Sequence, residues 1–73
     1  MDLRQLVGQN IRYWRTRLGV SHEELAFRTD LHRTYVSGVE RGVRNLTVLI
    51  VGRLSNALEI DPEMLLAKET RCK

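Results

Sequence analysis

The side chains with chemistry to offer are mostly arginines. Ten of the twelve basic residues are Arg, set against nine acidic ones, for a net charge of +3 and a pI near 9.6. Arg presents a planar fork of donors suited to phosphate and guanine edges, whereas Lys is a point charge. The composition therefore hints at a nucleic-acid partner, although +3 is a small excess. Residues that would signal other chemistries are missing or misplaced. His22 and His32 lack the Cys/His spacing of a structural zinc site, and Cys72 is a lone cysteine that cannot form an intrachain disulfide. His22-Glu23 does not open a zinc-protease motif, because Ala26 stands where the second His would be. No nucleophile–base pair, metal cluster or phosphate loop supports an enzyme, and no cofactor or small-molecule ligand is expected.

The elements that must position these residues follow from spacing and caps. Val7, Ile11, Trp14 and Leu18 recur at helical intervals, which predicts a helix over about 3–18 with that stripe inward. Gly19 is its stop. Ser21-His22-Glu23-Glu24 reads as a capping box opening a second helix over about 22–29, with Leu25 and Ala26 inward. A connection of about three residues, Asp30-Leu31-His32, leads to a third helix over about 33–40 with Val36 and Val39 inward. So short a link forces a sharp angle, hence a helix-turn-helix over about 22–41. After Gly42 and a loop, Thr47 caps a fourth helix over about 48–58, with Val48, Val51, Leu54 and Leu58 on one face. Asp61-Pro62 starts a short fifth helix carrying Met64, Leu65 and Leu66. The expected fold is all-α: one five-helix domain over 1–67, then a polar, frayed tail over 68–73.

The 73 residues, 8.5 kDa, make one small domain, and a chain this size buries only about 60% of its unfolded surface. The longest aliphatic run, Val48 to Val51, is far short of a membrane span. The N-terminal residues Met1 to Gln5 lack a signal-peptide core. A cytoplasmic location with Cys72 reduced is expected, and the glycosylation-like triplet Asn45-Leu46-Thr47 is then coincidental.

The stretches Leu18 to Ala26 and Leu31 to Gly42 resemble the helix-turn-helix of the phage Cro/CI repressor family, the XRE-type regulators. The resemblance covers about residues 7–61 and implies a lambda-repressor-like DNA-binding domain. Arg33-Thr34-Tyr35-x-Ser37-Gly38-x-Glu40-Arg41, with Arg44-Asn45-Leu46-Thr47 after it, is similar to the controller proteins of restriction–modification systems. Those are small homodimers that bind operators beside their own genes. The resemblance implies that the third helix enters the major groove with its N-terminal side chains on base edges. It places Arg33, Thr34, Ser37 and Arg44 as base readers, with Arg33 able to grip guanine bidentately. Ser21, His22, Tyr35, Asn45 and Thr47 fall at backbone-contacting positions. The alternatives are ordinary: a solvated Arg33 or Arg44, Tyr35 at the core edge, Ser37 as a cap, His22 neutral in an exposed first turn. Two positions depart from the family. His22 replaces the usual Gln, and Gly38 replaces a long polar side chain, leaving room for close backbone approach. By the same resemblance, Arg15 and Glu40 form a structural ion pair between the first and third helices.

The charge also divides along the chain. Residues 1–58 hold nine Arg against five acidic residues, while residues 59–73 hold three bases against four acids. The C-terminal part of the chain carries an apolar excess: one helix cannot turn Val48, Leu49, Ile50 and Val51 into a single core, and the short fifth helix adds Met64, Leu65 and Leu66. A symmetric homodimer through Leu49, Ile50, Met64, Leu65 and Leu66 is expected; the other reading is that the fifth helix lids its own domain. The leading function is a sequence-specific transcription regulator reading an inverted repeat on double-stranded DNA. An activator would also touch RNA polymerase, through a surface no residue marks. The competing function is an antitoxin or other protein-binding module of the same fold, although the tail is short for a toxin-wrapping arm.

Overall fold

The computed structural model describes residues 2–68, and the expectations for the tail beyond Lys68, including Cys72, lie outside them. Four α-helices form in the expected places: α1 Leu3–Leu18, α2 His22–Thr29, α3 Arg33–Glu40 and α4 Val48–Ala57. The fifth element, Pro62–Leu66, is a 3-10 helix. Five residues that begin with a proline leave room for little more than one turn, which the tighter i→i+3 spacing completes.

Each α-helix starts on a side-chain cap. Asp2 accepts from the Arg4 N–H at 2.8 Å, Ser21 Oγ from Glu24 at 3.0 Å and Thr47 Oγ1 from Ile50 at 3.1 Å. These bonds satisfy donors that a helix start otherwise leaves unpaired. The capping box is only half formed: the Glu24 carboxylate takes Arg28 Nε at 2.9 Å, one turn on. The α3 cap was not foreseen. His32 Nδ1 accepts from the Thr34 N–H at 3.2 Å.

Ile11, Leu25, Val36, Leu54 and Leu65 are wholly buried, with Val7, Ala26, Val39 and Leu58 around them. Thus α1, α2, α3, α4 and the 3-10 helix all contribute to one core. α1 packs on α3 and on the 3-10 helix, α2 on α3 and α4, and α4 on the 3-10 helix. Gly8 sets the first of these approaches. A Cβ there would collide with the Val39 carbonyl oxygen and lie 2.8 Å from that of Glu40, so α1 and the end of α3 meet backbone to backbone.

The apolar stripes are narrower than their spacing suggests. Trp14 packs on the edge of the core and is only half-buried. Leu18 is exposed, because the chain leaves the body at Gly19. Val48, expected inward, is 88% exposed. It lies at the very start of α4, which overhangs the junction of α1 and the 3-10 helix. Beneath it runs an apolar groove of about 610 Å³, lined chiefly by Leu3, Val7, Leu46, Val51, Pro62 and Leu66.

Asn10, Thr29 and Ser55 are the buried polar residues among those described, and Asn10 reaches furthest along the chain. Asn10 is buried, and its amide donates to the carbonyls of Leu65 at 2.8 Å and Ala67 at 2.9 Å. These carbonyls end an element too short to satisfy them internally, and a buried carbonyl without a partner is costly. Asn10 therefore ties the 3-10 helix to α1.

Candidate nucleic-acid interface

The connection between α2 and α3 decides where the site points. Asp30 takes a left-handed conformation, φ 59°, and the Leu31 N–H returns to the Ala26 carbonyl at 3.0 Å. Leu31 then packs against the core, which fixes the angle at which α3 departs. The starts of α2 and α3 are thereby brought side by side. Ser21, His22 and Glu23 line one concavity of about 350 Å³ together with Arg33, Thr34 and Ser37. Five of the expected DNA-contacting residues thus share one face.

The side chains in this hollow differ in readiness. Arg33 is exposed, with Nη1 3.4 Å from Glu23 Oε2. Both side chains are more than half exposed, so the pair is worth little and leaves Arg33 free to move to a partner. Thr34 is held: its hydroxyl lies 2.8 Å from His32 Nδ1. That nitrogen already accepts the Thr34 N–H, so it carries no proton and the hydroxyl must donate to it. Thr34 keeps its oxygen lone pairs and its methyl for a base edge.

His22 belongs to a cluster with Arg15 and Glu40. Arg15 grips Glu40 through Nε at 2.6 Å and Nη2 at 3.1 Å, with side chains only 11% and 5% exposed. Arg15 Nη1 also donates to the Val20 carbonyl at 2.9 Å. α1, the turn before α2, and the end of α3 are joined through one guanidinium. His22 Nε2 lies 2.9 Å from the same Glu40 carboxylate, a contact the sequence did not suggest. A neutral imidazole donating there keeps Nδ1 as an acceptor only. Donation to a phosphate therefore requires the protonated ring.

Tyr35 lies at the core edge, the alternative reading of its position. Its ring is half-buried against the core, and its hydroxyl donates to the Asn45 carbonyl at 2.9 Å. In the free protein the phenolic proton is committed to the loop, so Tyr35 helps to position that loop. Asn45 itself is exposed, with its side-chain oxygen 3.4 Å from Arg4 Nη1. Arg44 is exposed beside it. Thr47 caps α4, whose first turn opens to solvent next to this loop.

The comparisons with known proteins agree with this geometry. The helix-turn-helix family model matches residues 11–65. The chain belongs to the helix-turn-helix family. Within it, the chain is similar to the control protein C.BamHI of Bacillus amyloliquefaciens, with 44% identity over 66 residues, 89% of this chain and 82% of the relative. It superposes on the restriction–modification controller protein C.AhdI from Aeromonas hydrophila with a TM-score of 0.82 at 45% identity, covering 85% of this chain and 94% of that one. It also matches the controller C.Esp1396I, solved as a tetramer on its natural 35 base-pair operator. That match has a TM-score of 0.81 and 34% identity, over 89% of this chain and 86% of the other. The chain is thus a helix-turn-helix DNA-binding regulator, all-helical among its described residues. None of its described helices is long and apolar enough to cross a membrane.

In this helix-turn-helix protein the residues expected at the apolar end divide. Leu49 is 80% exposed and Leu66 is 51% exposed, while Ile50 and Met64 are half-buried. Leu65 is a correction. It is wholly buried in the core of its own chain, because a 3-10 helix turns consecutive residues to different sides and Leu65 takes the inward one. Val48, expected inward, and Leu3, not singled out, join the exposed set. Asn10 was missed too, although a polar residue between Val7 and Trp14 on an apolar stripe is itself a sign of a buried hydrogen bond. Phe27, 84% exposed on α2, carried no sequence signal as part of a surface.

Proposed function

We propose that the protein is a homodimeric transcription regulator that binds an inverted-repeat operator, acting on restriction–modification genes, and that it works by binding and not by catalysis. The observation that carries this reading is the convergence of Ser21, His22, Arg33, Thr34 and Ser37 on one exposed face at the start of α3. Arg33 and Thr34 read base edges, Ser37 follows one turn later, and Arg44 reaches the groove from the loop. Ser21, His22, Asn45 and the capped start of α4 hold phosphates. Arg15 and Glu40 hold the motif together without touching DNA. The similarity to C.BamHI and C.AhdI supports the choice of regulated genes.

The second copy docks over the apolar groove, through Leu49, Leu66, Val48 and the edges of Ile50 and Met64. Water excluded from these side chains drives the association. Two-fold symmetry then sets the two α3 helices about 34–36 Å apart, one turn of DNA. The protein acts in the cytoplasm, and an activating role adds a contact with RNA polymerase.

Selection of bound sites from random duplex DNA tests the reading. The expected result is an inverted repeat whose half-sites lie about one helical turn apart. No enrichment over the starting pool would overturn it.

A further inference from the structure

We infer that Gly38 is a positioning residue for Arg44: the bare backbone of α3 is a seat that holds the Arg44 side chain in its reading position. The inference rests on the proposed role of Arg44 in DNA recognition. The loop after α3 is clamped on both sides of Arg44. On one side the Val43 N–H donates to the Gly38 carbonyl at 3.0 Å. On the other the Tyr35 hydroxyl donates to the Asn45 carbonyl at 2.9 Å, and Leu46 packs on the core. Between these anchors the Arg44 side chain lies back across α3. A Cβ on Gly38 would stand 2.7 Å from Arg44 Cγ, 3.1 Å from Nε and 3.4 Å from Cδ. No other group comes as near to that point, and Gly38 itself is buried while Arg44 is exposed.

Gly38 follows Thr34 by four residues, so the two share a face of α3. The Arg44 stem therefore continues the Thr34 stripe, one turn further along the helix. An arginine tethered only by its backbone loses much rotamer freedom on binding. One laid against a helix has lost part of it beforehand, and its guanidinium is aimed. This also accounts for a glycine in the middle of an eight-residue helix, where alanine is the better helix former. Any side chain at position 38 removes the seat.

The test combines Gly38→Ala, Arg44→Ala and the double variant of the full chain. In the free protein, the ¹⁵N relaxation of Arg44 Nε should show a more mobile side chain in Gly38→Ala. The melting temperature should stay level or rise, since alanine favours the helix and only a side chain must move. On operator DNA from the site selection, Arg44→Ala should lose about tenfold preference at one base pair per half-site. Gly38→Ala should lose preference at that same base pair and leave the one read by Arg33 intact. Adding Gly38→Ala to Arg44→Ala should change nothing further. Unaltered Arg44 mobility, a large drop in melting temperature, or a further loss in the double variant would overturn the inference; the last would mean that Gly38 makes room for DNA itself. If Arg44 becomes mobile but Arg44→Ala leaves DNA preference unchanged, the seat stands and the assignment of Arg44 to base reading falls.

Discussion

α3 and α4 begin in the same way and end up with opposite surfaces. Both first turns hang on a side-chain cap, His32 for α3 and Thr47 for α4, and both open to solvent. The α3 start shows Arg33 and Thr34 to water; the α4 start shows Val48 and Leu49, 88% and 80% exposed. An exposed Arg is well hydrated and can stay uncovered until DNA arrives. Exposed Val and Leu forgo about 25 cal/mol for each Å² left in water, which favours a permanent cover. Under the proposed function, the same local device serves an intermittent partner at one helix and a constant one at the other. From the end of α3 to the start of α4 runs the clamped loop with Arg44, which belongs to α3 both by its charge and by its attachment to Gly38 and Tyr35.

The largest expected effect separates the core of the apolar end from its surface. Leu65→Ala should cost about 3 kcal/mol in urea unfolding, the usual range for a buried leucine. Its neighbour Leu66→Ala should change monomer stability by less than about 0.5 kcal/mol and instead shift sedimentation towards the 8.5 kDa species. Equal behaviour of the two variants would erase the distinction between lid and interface.

Next is the cluster behind the DNA face. Glu40→Ala leaves the Arg15 guanidinium, 11% exposed, without its carboxylate, at an expected cost of about 3 kcal/mol. Glu23→Ala breaks only the exposed contact with Arg33 and should stay within about 0.5 kcal/mol. Equal melting temperatures would sink the structural role of Glu40. On the face itself, Arg33→Ala should relax preference at one base pair per half-site by about 1–3 kcal/mol. Uniform weakening across all sequences, with a smaller salt slope, would make Arg33 a phosphate contact instead.

The smallest effect lies at the start of α1. The Arg4 side chain and backbone N–H hold the Asp2 carboxyl down at about 2 from an ordinary 3.8. A lowered value means the carboxylate favours the folded form. Its contribution is complete above about pH 4 and disappears as pH falls through about 2. Carboxyl NMR titration should give a midpoint near 2 together with fraying of the first turn; a midpoint near 3.8 would remove Asp2 as a cap.

Much of this was legible in the sequence because it is local. Helix limits follow from caps and stops within four residues, so Ser21, Gly19, Thr47 and Pro62 mark them. The proposed DNA-facing set follows from a short turn and a motif, and the structure brings Ser21, His22, Arg33, Thr34 and Ser37 together. Where the reading was incomplete, the partner was distant in sequence. Tyr35 finds the Asn45 carbonyl, and His22 finds a carboxylate eighteen residues on. Val48 falls outside because nothing in its own helix shows where α1 and the 3-10 helix stop.

By itself the sequence determined the places of the four α-helices and of the short fifth element, the sharp α2–α3 turn and the arginine-rich character of one face. Caps, periodicity and charge act through neighbours one turn away, so they can be read along the chain. Only the tertiary structure decided which of Leu65 and Leu66 is core, which hydroxyl is free to meet DNA, and that Gly38 lies under Arg44. Those depend on how closely separate helices approach, and an approach of a few tenths of an ångström is set by every side chain in the core at once.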